Sequence, residues 1–239
     1  MNGDFLREQI IRAGYFKQIK YTKERWNQLE QYRNKAIEIL KTLEINGIKG
    51  YVYGSVARGD VSKNSDIDII IFQKISSFKI ETIIDYEERY IVQATPSHVL
   101  KAELHMSDNI TIVFPLIKMR SLEYEFYKFG GLLDLSQLTT GVRVPGIDKR
   151  LLVINPKNFG HEEFSLIGNE LLASKLIGVN KKIIDERIRV LTRRNNIGRT
   201  GVYLKYRLSE NESFESALKK VLDRDPAIRR TIYKRETRI

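Results

Sequence analysis

Apolar positions along this chain switch between two periods, and the switches divide it into elements. Over residues 21–46, Trp26, Leu29, Ala36, Ile37, Leu40 and Leu43 recur at three-and-four spacing. That spacing predicts a long amphipathic helix, ended by Asn46-Gly47. Residues 5–18 carry a weaker pattern of the same kind. Two short apolar runs, 50–54 and 67–72, read as strands, with a short helix over 56–59 between them. A helix is predicted over 76–90 with Ser76 or Ser77 as N-cap, then a short strand over 90–94 before Thr95-Pro96. Residues 99–106 and 110–116, parted by Ser107-Asp108-Asn109, read as a hairpin. Its first arm puts Leu100, Ala102 and Leu104 on one face and Lys101, Glu103 and His105 on the other. A helix over 117–129 stops at Gly130-Gly131.

The rest of the chain reads differently. Residues 130–158 lack a helical period; Val144-Pro145-Gly146 is a turn and 150–154 a short strand. A helix is predicted over 164–177, closed by Gly178, and a second over 181–194 with Ile183, Ile184, Ile188 and Leu191 inward. An alternating run over 202–208 follows. Helix, Gly-Val-Asn turn, helix and β-run resemble a winged helix-turn-helix. Gly178, Val179, Ile184, Arg187, Ile188 and Leu191 fit the usual pattern, whereas Ser174 stands where alanine is common and Ile177 where leucine is. The resemblance implies that the second helix lies in a DNA major groove. Lys181, Lys182, Arg189, Arg193 and Arg194 would then face nucleic acid from the helix, and Arg199, Lys205 and Arg207 from the wing.

The chemistry concentrates in 50–72, GYVYGSVARGDVSKNSDIDIIIF. Side chains alternate along a strand, so Asp66 and Asp68 share one side while Ile67 and Ile69 point to the core. Two carboxylates so placed repel each other unless a cation sits between them, and hard oxygen ligands of this kind suit Mg²⁺ or Mn²⁺. Gly54 lets the backbone approach a ligand, and N–H groups at a turn into a helix favour anions. Ser55 adds a hydroxyl. Glycine-serine, ten residues, then D-x-D, with A-R-G after the serine, resembles the polymerase-β-type nucleotidyltransferase superfamily. The resemblance covers roughly residues 48–116, a looseness usual for boundaries drawn from sequence. It implies that Gly54 and Ser55 hold a triphosphate and that Asp66 and Asp68 hold metal. Arg58 and Lys63 would neutralise phosphate, although Arg58 could equally brace the loop. The superfamily usually adds a third carboxylate from a neighbouring strand, as metal ligand or as base. Glu103 is the first candidate and Asp108 the second.

Composition narrows the setting. The 239 residues contain no cysteine, which removes disulfides and thiolate metal sites and favours an intracellular address. His98, His105 and His161 show no zinc-ligand spacing. The apolar runs are far too short to span a membrane, and the first residues do not read as a signal peptide, so a cytoplasmic protein is expected. The net charge of +11 is uneven: residues 1–140 hold 19 Lys and Arg against 18 Asp and Glu, and 141–239 hold 22 against 12. The surplus therefore falls in the C-terminal part, which suggests a polyanion partner there.

The expected architecture is α+β: a small mixed sheet with flanking helices over 1–129, a connection over 130–160, and a mainly helical winged helix-turn-helix over 161–239. The expected function is Mg²⁺-dependent transfer of an NMP from an NTP to a hydroxyl. The C-terminal part would bind nucleic acid, duplex DNA in preference to RNA because an aromatic stacking platform is missing. The alternative is a DNA-binding regulator, or an antitoxin-like protein with a protein partner, whose nucleotidyltransferase fold is silent.

Overall fold

The computed structural model describes residues 10–198 and 201–236. In chain order its elements begin with β1 (Phe16–Lys20), α1 (Lys23–Ile45), β2 (Gly50–Tyr53), α2 (Ser55–Arg58), β3 (Ile67–Ile71), α3 (Ser77–Glu81) and β4 (Glu88–Gln93). The hairpin arms follow as β5 (Lys101–Met106) and β6 (Ile110–Pro115), then α4 (Ser121–Phe129), β7 (Leu132–Asp134), α5 (Leu135–Thr139), β8 (Gly146–Ile147), β9 (Leu152–Lys157) and β10 (Gly160–Ser165). Last come α6 (Glu170–Ile177), α7 (Lys181–Ile197), β11 (Leu204–Arg207), α8 (Phe214–Arg224) and α9 (Pro226–Glu236).

Seven strands form the main sheet in the order β11-β4-β5-β6-β3-β2-β7, and β1-β10-β9-β8 form a second sheet. Every pairing in the main sheet is antiparallel except that of β3 with β6. One face of the main sheet is apolar and carries the core. Val52, Ile67, Ile69, Ala102, Leu104, Ile112 and Phe114 are buried in one cluster with Leu29, Ala36, Leu40 and Leu43 of α1. The opposite face carries Tyr53, Asp68, Thr111, Lys101, Glu103 and His105, as period-two alternation requires. The hairpin alternation read from the sequence is reproduced: Leu100, Ala102 and Leu104 are buried, and Lys101, Glu103 and His105 are not.

The C-terminal part departs from expectation. The alternating run at 202–208 is not a wing; its centre, β11, pairs antiparallel with β4, Leu204 opposite Gln93 and Arg207 opposite Tyr90. Phe214, Ala217, Val221 and Ile228 of α8 and α9 enter the same core as Ile91 and Phe114, and the Phe114 and Phe214 rings meet edge-on at 5.6 Å. The expected division at 161 is therefore not followed by the packing. The open edge of β4 supplies the reason: its unpaired N–H and C=O groups attract a strand, and 204–207 satisfies them.

Three smaller expectations also change. The helix read over 5–18 falls partly on residues 1–9, outside the described residues, and its end is a strand, β1, paired with β10 across 140 residues of chain. The helix read over 76–90 is real only at Ser77–Glu81. The helix read from 164 begins at Glu170, because His161 to Ser165 is spent in β10 and Gly168 turns the chain at φ +89°. Short apolar runs do not reveal pairing between distant segments.

Helices α6 and α7 sit on a second cluster in which Ile177, Ile183, Ile184 and Leu191 are buried with Ile147, Leu151 and Val153. The Gly130-Gly131 stop lies between this cluster and the main sheet. Gly146 of β8 packs flat on it: a Cβ there would stand 2.6 Å from Gly131 N and 2.7 Å from Gly130 C. Backbone cannot yield as a side-chain tip can. Gly146→Ala is expected to lower stability by roughly 1–3 kcal/mol, as overpacking does; a denaturant melt with an unchanged midpoint would remove this contact from the account.

Candidate active site

The site is built where β2 ends. Gly54 takes φ +79° and ψ −144°, a conformation that suits only glycine. Its N–H donates to Gly131 O at 3.0 Å. A Cβ on Gly54 would come 4.0 Å from Asp68 Oδ2, so this bare backbone lies directly beside that carboxylate. The single turn of α2 follows and ends at Gly59, φ +93°. Its leading N–H groups, from Ser55 on, have no helical partner, as at any helix start. The turn is held from behind by Arg33 of α1, whose Nε donates to Val56 O at 3.3 Å and Nη2 to Ala57 O at 3.3 Å and Val142 O at 2.8 Å.

Arg58 resolves to one of its two expected roles. Its Nε and Nη2 grip Asp60 at 3.0 and 3.1 Å, and its Nη1 donates to Gly130 O at 2.6 Å. Buried with every nitrogen committed, it braces the loop to the Gly130-Gly131 strap. Lys63 is exposed and shares a shallow groove with Thr22, Arg25 and Gln28 at the start of α1, and Tyr32 OH donates to its carbonyl at 3.0 Å.

Asp66 lies exposed just ahead of β3, and Asp68 lies within it, opposite Tyr53 on one side and Thr111 on the other. Burial raises the Asp68 carboxyl from 3.8 to about 6, the Asp66 charge adds to the rise, and Glu103 contributes; Lys149 and Lys101 pull the other way. The Asp66 charge therefore bears on the Asp68 carboxyl. The Tyr53 hydroxyl is pushed well up, by burial first and by the Asp68 charge second. Burial alone would lower the Lys101 ammonium, but Tyr127, Glu103 and Asp68 outweigh it and the net direction is up. A half-buried lysine thus stays charged beside these carboxylates.

The third carboxylate is harder to place. The strand next to β3 is β6, and its residue level with Asp68 is Thr111. Glu103 is on β5, one strand further, level with Val113, and its Oε2 lies 3.3 Å from His105 Nε2. Asp108 sits in the β5–β6 turn at φ 61° and spends its carboxylate on an exposed ion pair with Lys35 of α1 at 2.8 Å. Among the described residues no three His, Cys, Asp or Glu side chains are grouped tightly enough to enclose a metal. Two carboxylates still fit Mg²⁺ or Mn²⁺, which need only one or two and take phosphate oxygens and water for the rest. The uncompensated like charges that raise Asp68 are what a divalent cation would relieve.

The basic residues of the C-terminal part are scattered rather than gathered on a groove-reading face. Lys181 pairs with Asp185 at 2.7 Å, while Lys182 and Arg189 are exposed along α7. Arg193 and Arg194 border a cavity that opens against the main sheet. Lys205 Nζ lies 4.3 Å from the Tyr90 ring centroid, and Arg207 pairs with Glu88 at 2.7 Å. Arg199 lies outside the described residues. The α6–α7 turn is docked on α4, where Lys128 Nζ donates to Gly178 O at 2.8 Å and Asn180 N–H to Glu125 at 2.6 Å. A recognition helix offers its N-terminal residues to base edges; here that end is tied to the neighbouring helix. Lys101, Thr111, Tyr127, Lys149 and Arg187 are the residues that sequence reading missed as parts of this region. Only Lys101 gave a signal, through its place beside Glu103 in the alternating arm.

Residues 33–125 match the family model of the nucleotidyltransferase domain. This stretch is a nucleotidyltransferase domain. Two solved structures of a CCA-adding enzyme, one with ATP and one with CTP, resemble the chain at 18% and 15% identity, with TM-scores of 0.29 and 0.28. Each comparison covers 94% of this chain and 51% of the other, so the chain spans about half their length. No curated protein matches the chain. Among the described residues no helix is long and apolar enough to cross a membrane.

The raised Asp68 pKa has a consequence for stability. The folded state holds a proton between pH 3.8 and about 6 that the unfolded chain releases. Stability therefore falls as pH rises through that window, and the cost is fully present above it. Asp68→Asn is expected to stabilise the metal-free protein at neutral pH by roughly 1–3 kcal/mol. The gain should shrink toward pH 4; thermal melts showing a loss, or a gain indifferent to pH, would contradict the burial argument.

Proposed function

We propose that the protein is a divalent-cation-dependent nucleotidyltransferase that moves an NMP from an NTP to a hydroxyl acceptor. The observation that carries this reading is the placement of Asp68: buried, raised by Asp66, and faced by a glycine with no side chain. That is a poor arrangement for stability and a good one for a cation-bound triphosphate. Asp66 and Asp68 would hold Mg²⁺ or Mn²⁺, which would neutralise phosphate charge and polarise the phosphoryl group under attack.

The chain's own residues do the rest. Gly54 and the Ser55 hydroxyl and N–H bind the phosphate chain. Arg33 and Arg58 keep that loop in shape from behind, without touching the ligand. Lys101, a half-buried cation among these acids, offsets their repulsion while the site stands open. Glu103 takes the proton of the attacking hydroxyl, and its contact with His105 gives that proton a further place to go. The DNA-binding alternative retains the exposed Lys182, Arg189, Arg193 and Arg194 of α7, but the run read as a wing completes the main sheet.

With Mg²⁺ or Mn²⁺ and each labelled NTP in turn, the wild type is expected to transfer label to a hydroxyl. Asp66→Asn and Asp68→Asn should each slow transfer by at least about 100-fold, the scale on which charge-stabilising groups act. Transfer at wild-type rates by either variant would defeat the assignment.

A further inference from the structure

On the active-site face, the main sheet, α4 and α7 border a cavity of about 480 Å³. Lys101 and Glu103 line its sheet side, Phe126 and Tyr127 its α4 side, and Arg187 and Arg194 its α7 side. Its size falls in the range of pockets for small ligands.

Arg187 distinguishes this cavity. Its guanidinium carbon lies 4.9 Å from the Phe126 ring centroid, and its buried Nε has no hydrogen-bond partner. It makes no ion pair with any described residue; of the charges that act on it, Arg194 lowers its pKa and the Glu186 carboxylate, more weakly, raises it. Arg235 Nε also lacks a partner, but the buried arginines otherwise spend their guanidinium donors. Arg33 has three carbonyls, and Arg58 has Asp60 and Gly130. Arg89 has Glu81 with two carbonyls, and Arg235 has Glu123 with two carbonyls. A half-buried guanidinium with its donors unspent is costly unless an anion answers it. Burial, with Arg194 beside it, pulls its pKa down to about 10, so the cation persists at neutral pH.

The cavity adjoins the reacting centre. The charges of Lys101 and Glu103 both reach Asp68. The Tyr127 ring meets that of Tyr53 edge-on at 4.9 Å, and Tyr53 is the cross-strand neighbour of Asp68. A molecule seated here would have one end at the nucleotidyl-transfer site and the other at Arg187.

We propose that this cavity holds the acceptor, a small phosphorylated alcohol, with Arg187 paired to its phosphate and its hydroxyl turned toward Glu103 and Asp68. The guanidinium fork matches phosphate with two parallel hydrogen bonds, and Phe126 covers the carbon skeleton. In the reaction the hydroxyl oxygen bonds to the α-phosphorus of the NTP. The bond from that phosphorus to the bridging oxygen breaks, pyrophosphate leaves with the electron pair, and the hydroxyl proton passes to Glu103. The assignment of an acceptor rests on the nucleotidyl-transfer reading; the anion site itself does not.

Calorimetric titration with ribose 5-phosphate and with glycerol 3-phosphate, in the absence of metal and NTP, separates the two. Wild type and the Asp66→Asn/Asp68→Asn variant should bind at least one of them within about threefold of each other, because the phosphate contact is remote from the carboxylates. Arg187→Gln should weaken binding at least about tenfold, the scale of one charged hydrogen-bonded partner, with part of the loss recovered in Arg187→Lys. The melting temperature of ligand-free Arg187→Gln should hold or rise; if that variant folds poorly, Arg187→Met, which keeps the packing on Phe126, takes its place. With Mg²⁺ and labelled NTP, the phosphate that binds should also acquire the label.

Absence of binding by both phosphates, or binding indifferent to Arg187, overturns the site. Binding confined to a phosphate-ended oligoribonucleotide overturns the small acceptor, as does a bound phosphate left unlabelled while another hydroxyl is labelled. Failure of the catalytic reading would look different: Arg187-dependent binding intact, and metal-dependent transfer absent.

Discussion

A buried carboxylate beside another carboxylate is the constraint around which this molecule is arranged. Water would keep Asp68 ionised at little cost; the sheet face does not, and the Asp66 charge compounds the penalty. The cluster answers only in part. Lys101 is held as a half-buried cation on β5, and the Lys149 charge reaches Asp68 from the loop before β9. The remaining imbalance is what a bound cation would relieve, and perturbed carboxylates of this kind gather at functional sites.

Holding that patch requires a loop that cannot drift, and much of the second half of the chain serves this end. Gly54 and Arg58 both reach the Gly130-Gly131 strap, one through its N–H and one through its guanidinium. Gly146 closes on the same strap, leaving no room for a side chain. Arg33 reaches through from α1 to the carbonyls of α2. Three segments distant in sequence thus meet on a few backbone atoms. Rigid support behind a bare glycine lets the front of the loop remain open to phosphate.

The local parts of this arrangement were legible in the chain. The hairpin arm gave its two faces, and three-and-four spacing gave α1 to within two residues of its ends. What eluded the sequence was pairing between remote segments. Nothing in VYLKYRL says whether it folds back as a wing or travels to the edge of β4; the choice belongs to a sheet edge far back in the chain. The place of the third carboxylate was hidden for the same reason. The arm read first after β3 is β5, but the parallel partner of β3 is β6, which sets Thr111 level with Asp68 and moves Glu103 one strand away. Register across strands that are not adjacent in sequence is fixed by the whole sheet.

The basic surplus of the second half invites the same correction. A helix carrying many arginines suggests a polyanion only if those arginines look outward. On α7 the picture is mixed: Lys182 and Arg189 are exposed, Arg187 lies over Phe126, and Arg193 and Arg194, exposed as well, border the cavity above Lys101 and Glu103. The apolar side of the helix, Ile183, Ile184 and Leu191, is committed to its own cluster, which fixes its rotation about its axis. With that rotation set, the spacing of the arginines decides where positive charge falls, and part of it falls on the inner wall facing the acids. Charge counted along a chain measures a surplus; only packing tells which side of the wall receives it.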